Sequence, residues 1–204
     1  MRAPFFHAII PLVDLRPVRP GFNSWRTEAG LFQKGGRMRL LLATDEHFAI
    51  GLNGKMLFRI PEDQKRFKEL TLGNIVIMGR KTLESLPGGK PLADRMNIVV
   101  SSRNLPEGEN LRLVHSPQEV QGLIDQLDPQ HKKEVFVIGG GRLAASMIND
   151  IDQADLTMVH QVFPQADAWI PDLRADPSFE LVAESSPQVY QDLTFTYQTY
   201  RRKS

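Results

Sequence analysis

Short apolar runs alternate with helical segments along most of this chain, and that alternation limits the fold more than any other feature of the sequence. Continuous apolar strands separated by helices are typical of a parallel sheet buried on both faces. The sequence therefore predicts an α/β fold with a mostly parallel central sheet, helices on both faces and an antiparallel carboxyl-terminal strand. The predicted strands are residues 39–44, 74–78, 97–101, 111–114, 134–138, 156–162, 179–184 and 193–200, and the predicted helices are residues 61–72, 80–86, 117–127 and 143–148.

The first 37 residues differ in character from the rest. They are rich in proline between Pro11 and Pro20, carry mostly basic charge and show no sustained periodicity. We therefore expect a poorly structured extension over residues 1–37, followed by a single domain over residues 38–204. Residues 34–36 read Lys-Gly-Gly, which a ribosome-binding sequence encodes when translated in frame, and this spacing suggests that Met38 is the natural start. Peptides from residues 1–33 in protein from the native host would refute that hypothesis.

The charge balance and the absence of one residue type exclude several classes of function. Lys and Arg number 25 against 24 Asp and Glu, so no overall field favours nucleic acid or a membrane surface, and a small ligand is expected. The chain has no cysteine and its five histidines lack metal-ligand spacing, so we predict no metal. No apolar run approaches the ~20 residues of a bilayer span. We expect a cytoplasmic protein, monomeric or homodimeric.

One carboxylate is predicted to lie among apolar side chains. At about 100° per residue, Asp63, Phe67 and Leu70 fall on one stripe of the first predicted helix, which places Asp63 inward. A buried carboxylate is costly unless a cation or a hydrogen-bond donor meets it, so Asp63 is a candidate functional acid. The alternative is that it only complements the helix dipole. Glu62 fits that simpler role, and it can also pair with Arg66 on the outer face.

Two predicted strands end in glycine and pass straight into a helix. Such ends present unpaired amide donors and the positive end of the helix dipole, where anions bind. Neither turn has the Gly-x-Gly-x-x-Gly fingerprint of Rossmann dehydrogenases, and either could be an ordinary glycine cap. Two in one chain favour a phosphorylated dinucleotide, and residues 101–104 form a third polar turn that could hold a phosphate or be purely structural. The two glycine turns are Gly79-Arg80-Lys81-Thr82 and Gly139-Gly140-Gly141-Arg142.

Five motifs occur in order between about Arg39 and Arg202. They are Ala49-Ile50-Gly51, Ile60-Pro61-x-Asp63-x-x-x-Phe67, Met78-Gly79-Arg80-Lys81-Thr82-x-Glu84-Ser85, Arg95-x-Asn97-Ile98-Val99 and Ile138-Gly139-Gly140-Gly141-Arg142. This ordered set resembles the dihydrofolate reductase family. The resemblance implies reduction of the substrate 7,8-dihydrofolate to 5,6,7,8-tetrahydrofolate with NADPH as cofactor.

The resemblance also implies a set of substrate-binding residues. Asp63 is the catalytic acid, which binds the amino group and a ring nitrogen of the pterin and supports protonation of the neighbouring ring nitrogen. Arg95 is similar to the family's arginine for the glutamate carboxylate, a task that suits a guanidinium fork, and its alternative is a surface loop arginine. The pterin site is completed by Phe67, which packs on the ligand, and by a floor of Leu41, Leu42 and Ala43.

The cofactor site implied by the resemblance gathers residues from distant parts of the chain. Residues 50–56 resemble the mobile loop that closes over the nicotinamide, and the peptide between Gly139 and Gly140 is usually cis in this family. Arg80, Ser102 and Arg103 resemble the group that meets the adenosine 2′-phosphate and selects NADPH over NADH. The remaining implied cofactor-binding residues are Ala43, Ile50, Gly51, Met56, Lys81, Thr82, Ser101, Gly139, Gly140, Gly141 and Arg142.

Some positions depart from the family pattern. Phe58 stands where many members have tryptophan, Ala144 where an aromatic residue often contacts the nicotinamide region, and Gln64 where an apolar residue usually follows the acid. The family also has a threonine bonded to the acid, and Thr157 and Val159 align with it equally well.

Two other functions are compatible with the sequence. A pyrimidine reductase of flavin biosynthesis shares the fold and NADPH but does not need the helix that carries Asp63. A folate- or NADPH-binding protein without turnover is the other alternative, because Phe58 and Ala144 change the reacting region.

Overall fold

The computed structural model describes residues 38–203, and the extension predicted over residues 1–37 lies outside the described residues. The strands are β1 (Met38–Asp45), β2 (Ala49–Leu52), β3 (Lys55–Met56), β4 (Ile75–Gly79), β5 (Met96–Val100), β6 (Leu111–Val114), β7 (Val135–Val137), β8 (Ile151–Val159), β9 (Ala168–Trp169), β10 (Phe179–Glu184), β11 (Gln188–Tyr190) and β12 (Leu193–Arg202). The α-helices are α1 (Pro61–Thr71), α2 (Arg80–Ser85), α3 (Val120–Leu127) and α4 (Gly141–Ser146). No helix in this part of the chain has the length and apolar character required to span a bilayer.

The central sheet has the strand order β10-β12-β8-β1-β7-β4-β5-β6, and β11 also pairs with β12. All pairings from β8 across to β6 are parallel. At the other end, β12 runs antiparallel to β8, β10 and β11. Parallel neighbours need a crossover connection, which explains why helices separate most of these strands in the sequence. The predicted fold class is confirmed.

The side chains of β1 alternate between two hydrophobic clusters, one on each face of the sheet. Leu40 packs with residues of α3 and α4, among them Val120 and Ala144. Leu41 belongs to the cluster on the opposite face, which includes Phe67 of α1. Helices therefore cover both faces of the sheet, as the continuous apolar character of its strands predicts.

Strand β8 begins at Ile151 rather than at residue 156 as predicted. Its first half carries polar side chains, which conceal a strand from any hydropathy pattern. Asp155 is nevertheless only 3% exposed, because its Oδ2 atom accepts hydrogen bonds from Nε and Nη2 of Arg39 at 2.9 and 2.6 Å. At this position an ion pair between β1 and β8 stands where a buried strand usually has apolar contacts.

The segment predicted as a loop over residues 50–56 is a short hairpin. Strands β2 and β3 pair antiparallel, and β9 pairs with β2 in a separate three-stranded sheet. The turn consists of Asn53 and Gly54, whose φ angles are 52° and 73°. Asn-Gly favours these conformations in two-residue hairpin turns, so the signal for the hairpin was present in the sequence.

A buried carboxylate fixes the chain between β1 and this hairpin. Asp45, the last residue of β1, has no exposed surface. Its Oδ1 accepts hydrogen bonds from the backbone N–H groups of His47 and Ala49, both at 2.8 Å, and its Oδ2 accepts one from Phe163 at 2.9 Å. Three donors satisfy the buried acid, and they attach the start of the hairpin and the loop after β8 to the same point.

Candidate active site

The Asp63 carboxylate is joined to the central sheet by a hydrogen bond. Helix α1 begins at Pro61, whose fixed φ suits a first helical position, and Asp63 lies in the first turn. The Oγ1 hydroxyl of Thr157 in β8 donates to Oδ1 of Asp63 at 2.5 Å. Val159 instead packs in a hydrophobic cluster with Ile60. The structure therefore selects Thr157 from the two candidates for the threonine bonded to the acid.

Burial and two neighbouring groups have opposite effects on the pKa of Asp63. Burial raises the pKa of Asp63 above its ordinary value, as the inward position of this residue suggests. The hydrogen bond from Thr157 and the positive charge of Arg66 lower the pKa and oppose this effect. A carboxylate in this state can bind a cationic or amide-like hydrogen-bond donor, because such a partner replaces the water that burial has removed.

The predicted floor residues divide between the two faces of β1. Ala43 is paired with Thr157 and Leu41 with Asp155 in the register between β1 and β8. Because side chains alternate along a strand, Leu41 and Ala43 share the face that α1 covers, and Leu42 points to the other face. A Cβ atom added to Gly139 would lie 3.4 Å from Cδ2 of Leu42. Leu42 therefore packs beneath the glycine turn rather than beside Asp63.

Arg95 is oriented by the far end of the same helix. Its Nε donates to Oγ1 of Thr71 at 2.9 Å and its Nη1 donates to the carbonyl oxygen of Ala93 at 2.8 Å. Thr71, the last residue of α1, donates in turn to the carbonyl oxygen of Phe67. Burial lowers the pKa of Arg95 and the charge of Asp94 raises it, and the guanidinium stays protonated. Because these hydrogen bonds already fix the guanidinium of Arg95, it can bind a carboxylate without a large loss of side-chain entropy.

Asn97 supports the loop that carries Arg95, a role that no pattern in the sequence indicates. This asparagine is fully buried. Its Nδ2 donates to the carbonyl oxygens of Leu92, Arg95 and Asn110, and its Oδ1 accepts the N–H of Leu92. Both polar atoms of the side chain form hydrogen bonds with backbone groups. Asn97 therefore fixes the conformation of the loop.

The two glycine turns that the sequence presents separately form one site. Strands β4 and β7 are parallel neighbours, so their carboxyl ends lie side by side. The N–H of Gly79 donates to the carbonyl oxygen of Gly139 at 2.9 Å, and the peptide between Gly139 and Gly140 is cis. A Cβ atom on Gly140 would lie 3.5 Å from Oγ1 of Thr82. The backbone amides and the Thr82 hydroxyl therefore converge at one place, where they suit a pyrophosphate.

Gly141 is required because another part of the backbone approaches it closely. A Cβ atom at this position would lie 1.9 Å from the carbonyl oxygen of Trp169 in β9, a backbone atom that cannot rotate away. The glycine thus allows the small sheet that contains the hairpin to lie against the start of α4. Because the hairpin carries Ile50, Gly51 and Met56, this contact brings those predicted cofactor residues towards the glycine turn.

Cationic residues follow both glycine turns in the chain and also occur in the third polar turn. Lys81, Arg103 and Arg142 are exposed, and Arg80 forms a salt bridge with Glu84 one helical turn away. In the third polar turn, the buried Ser101 hydroxyl donates to the carbonyl oxygen of Arg103 and accepts its N–H, and Ser102 is exposed. The donor set fits a phosphorylated dinucleotide, since exposed cations lie on turns whose backbone amides are directed towards anions.

The departures from the family pattern have local explanations. The ring of Phe58 packs on that of Phe163 with centroids 5.7 Å apart, in the loop that Asp45 anchors. Ala144 has no exposed surface and lies in the core beneath the glycine turn. Gln64 is exposed, which accounts for a polar residue beside the acid.

We predict that Gly141→Ala destabilises the protein by about 2 kcal/mol or more, since the new methyl group has to displace backbone. Gly122→Ala is the matched control. Gly122 lies in α3 with open space around its Cα, so alanine should stabilise the helix by about 0.5–1 kcal/mol. Urea unfolding measures both changes, and equal stability of the two variants would contradict the close approach of Trp169.

We also predict that Asp63→Asn is more stable than the wild type at neutral pH. An acid whose pKa is raised in the folded state destabilises that state as the pH rises above the unfolded value, 3.8 here. The stability gain of the variant should therefore shrink as the pH falls towards 3.8. Urea unfolding across this pH range tests it, with the exposed Asp192→Asn as control. A gain independent of pH would show that burial does not raise the pKa.

Comparison with known proteins agrees with this geometry. The family model described as "Dihydrofolate reductase" matches residues 37–202. Dihydrofolate reductase of Lactococcus lactis is 31% identical over 166 residues, which cover 78% of this chain and 94% of the relative. Dihydrofolate reductase type A13 of Escherichia coli is 32% identical over 168 residues, covering 82% and 96%.

A solved structure gives the same result. The dihydrofolate reductase from Enterococcus faecalis, complexed with NADP(H) and RAB-propyl, superposes with a TM-score of 0.69 at 30% sequence identity. The match covers 83% of this chain and 98% of that one. The fold, the ordered motifs and the family match thus lead to one conclusion: this chain belongs to the dihydrofolate reductase family.

Proposed function

We propose that this protein catalyses the NADPH-dependent reduction of 7,8-dihydrofolate to 5,6,7,8-tetrahydrofolate. The observation that carries the proposal is the partly buried Asp63 carboxylate. It is hydrogen bonded to Thr157 on the face of β1 opposite the one that Leu42 and the glycine turn share. A reducing cofactor and a heterocyclic substrate need two such neighbouring sites, one for phosphates and one for a flat polar ring. Membership of the family supports the same reaction.

The spacing along α1 suits the length of the substrate. Asp63 lies in the first turn of the helix and Thr71, which orients Arg95, is its last residue. The two residues are eight positions apart in the helix, which corresponds to ~12 Å along the helix axis. Dihydrofolate has its pterin and its glutamate at opposite ends of an aminobenzoyl linker. We infer that Asp63 binds the pterin, Arg95 binds the glutamate carboxylate, and Phe67 and Leu41 contact the ring between them.

The cofactor site is proposed at the joined glycine turns. NADPH, when bound, supplies the hydride for the carbon of the pterin C=N bond. Gly139, Gly140 and Thr82 would bind the pyrophosphate, and Lys81 and Arg142 would add positive charge. Arg80, Ser102 and Arg103 would meet the 2′-phosphate. The Enterococcus faecalis relative, complexed with NADP(H), supports this assignment.

The nitrogen of the same C=N bond needs a proton. Asp63 can bind the pterin amino group and ring nitrogen and orient the water that delivers the proton. Burial raises the pKa of this carboxyl group, which makes it a better base. The hydrogen bond from Thr157 to Oδ1 fixes the orientation of the carboxylate, and both oxygens keep lone pairs that can accept hydrogen bonds from the ligand. The overall reaction consumes one hydride and one proton.

The alternatives raised by the sequence have no comparable support. Neither a pyrimidine reductase nor a binding protein without turnover agrees better with the match over residues 37–202. The cytoplasmic location and the monomeric or homodimeric state stay predictions.

The function is tested by following NADPH oxidation in a stopped-flow experiment with dihydrofolate. The wild type should oxidise NADPH much faster than NADH, because the 2′-phosphate has cationic partners. Asp63→Asn should lose turnover by about 100-fold or more at neutral pH, since it cannot ionise or support the proton transfer. Its affinity for NADPH should stay within about threefold of the wild-type value, because Asp63 is not at the phosphate site. Unchanged turnover in this variant, or none in the wild type, would refute the proposal.

A second prediction concerns Arg95. Arg95→Gln should raise KM for dihydrofolate by about 10- to 100-fold with little change in kcat, because a charged hydrogen bond to a carboxylate contributes ~1.5–3 kcal/mol. A dihydropterin that lacks the glutamate serves as the control substrate. Its kinetics should be the same for both proteins, and a matching loss with this substrate would show that Arg95 only supports the fold.

A further inference from the structure

Helix α1 carries a buried arginine on a face that the sequence predicts to be exposed. The helical pattern places Arg66 outside the apolar stripe and pairs it with Glu62. In the structure its side chain is only 13% exposed and lies against β8 and β12. Its Cζ atom is 4.6 Å from the centroid of the Tyr197 ring, a cation–π contact. The predicted surface pair with Glu62 is therefore wrong, because Arg66 turns towards the sheet.

The positive charge of Arg66 is incompletely matched there. Its ion-pair partner is Asp155, whose Oδ1 lies 3.9 Å from Arg66 Nη2. Asp155 already accepts two shorter hydrogen bonds from Arg39, at 2.9 and 2.6 Å. Among residues 38–203, Nη1 of Arg66 is buried and has no hydrogen-bond partner. Since a guanidinium remains protonated in proteins, a buried charge is left to act on another acid.

Asp63 is the acid on which this charge acts. It precedes Arg66 by three residues on α1, a spacing that places side chains as neighbours on a helix. Burial raises the pKa of Asp63, and the Arg66 charge is one of the two effects that lower it. Burial likewise lowers the pKa of Arg66, whereas the charges of Asp155 and Asp63 raise it. The other charged or titratable groups around this pair are Glu62 on α1, Arg39 on β1 and Tyr197 on β12.

We propose that Arg66 is a positioning residue whose buried guanidinium favours the ionised form of the Asp63 carboxylate and so opposes the effect of burial. It acts through Asp63 and is not a catalytic residue. The inference rests on the proposed function only in taking Asp63 as the acid that binds the pterin. The hydrogen bond from Thr157 opposes the effect of burial on the pKa of Asp63, and the positive charge of Arg66 adds to that opposition. Arg66 thus supplies the positive charge that a buried anion needs before its ligand arrives.

The test is a direct titration of Asp63 by NMR in the full-length chain with ¹³C-labelled aspartate carboxyl groups. The Asp63 resonance is identified by its loss in Asp63→Asn. We expect the titration midpoint to rise by about one pH unit in Arg66→Met, because an opposite charge has been removed from its vicinity. Arg66→Lys, which keeps the charge, should stay close to the wild type. Lys65→Met is the matched control, since it removes one positive charge from the adjacent exposed position and solvent screens that charge.

The titration midpoints of Asp63 in these variants distinguish an effect of the Arg66 charge from an effect of its packing. A midpoint that is equal in Arg66→Met and the wild type, or that rises equally in Lys65→Met, would overturn the proposal. If Arg66→Met does not fold, Arg66→Gln removes the charge while keeping polar donors, and the same criteria apply to it. The titration needs neither substrate nor turnover. A failure here would leave the proposed reductase intact, and a lack of dihydrofolate turnover in the wild type would not alter the titration.

Discussion

The hydrogen bond from Thr157 to Asp63 is the interaction on which the arrangement of the site depends. It connects the first turn of α1 to the parallel sheet, and it holds a carboxylate in a place where burial disfavours the charge. Once that carboxylate is fixed, the direction of α1 determines where Thr71 and Arg95 lie. One helix thus positions the groups for both ends of the proposed substrate. A displacement of its first turn would also displace Thr71 and Arg95 at its last turn.

The cofactor side follows a general property of parallel sheets. Ligands bind beyond the carboxyl ends of the strands, where helix N-termini and backbone amides collect. Here the ends of β4 and β7 are joined by the hydrogen bond from Gly79 to Gly139. Leu42 packs under this turn while Leu41 and Ala43 face α1, so strand β1 separates the phosphate side from the acid side. Strand β1, whose side chains alternate between the two faces of the sheet, thereby forms the boundary between the two proposed binding sites.

Much of this was predictable because it depends on local patterns. The inward position of Asp63 follows from helical periodicity, and each glycine turn is visible in the sequence. The sequence does not show that the two glycine turns meet in one site. That depends on β4 and β7 being neighbours in the sheet although they lie far apart in the chain. Nor does the sequence say which face of β1 each floor residue occupies until the register with β8 is known.

The residues that were missed or misread are polar residues in buried places. Asp45 and Asn97 are fully buried, and Asp155 nearly so, because each satisfies its polar atoms with partners from distant segments. Such partners cannot be inferred from neighbours in the sequence. Arg66 was misread for the same reason, since an arginine outside an apolar stripe normally lies in solvent. The Asn53-Gly54 turn is different, because this dipeptide by itself favours a two-residue hairpin turn.

In the proposed complex, Asp63 binds the pterin while the glycine turn holds the cofactor. A crystal structure of the protein with dihydrofolate and NADP⁺ tests this most directly. We expect both carboxylate oxygens of Asp63 within ~3 Å of the pterin's amino group and ring nitrogen, and the pyrophosphate on the amides of Gly139 to Gly141. A pterin bound away from Asp63, or a pyrophosphate away from the glycine turn, would contradict it.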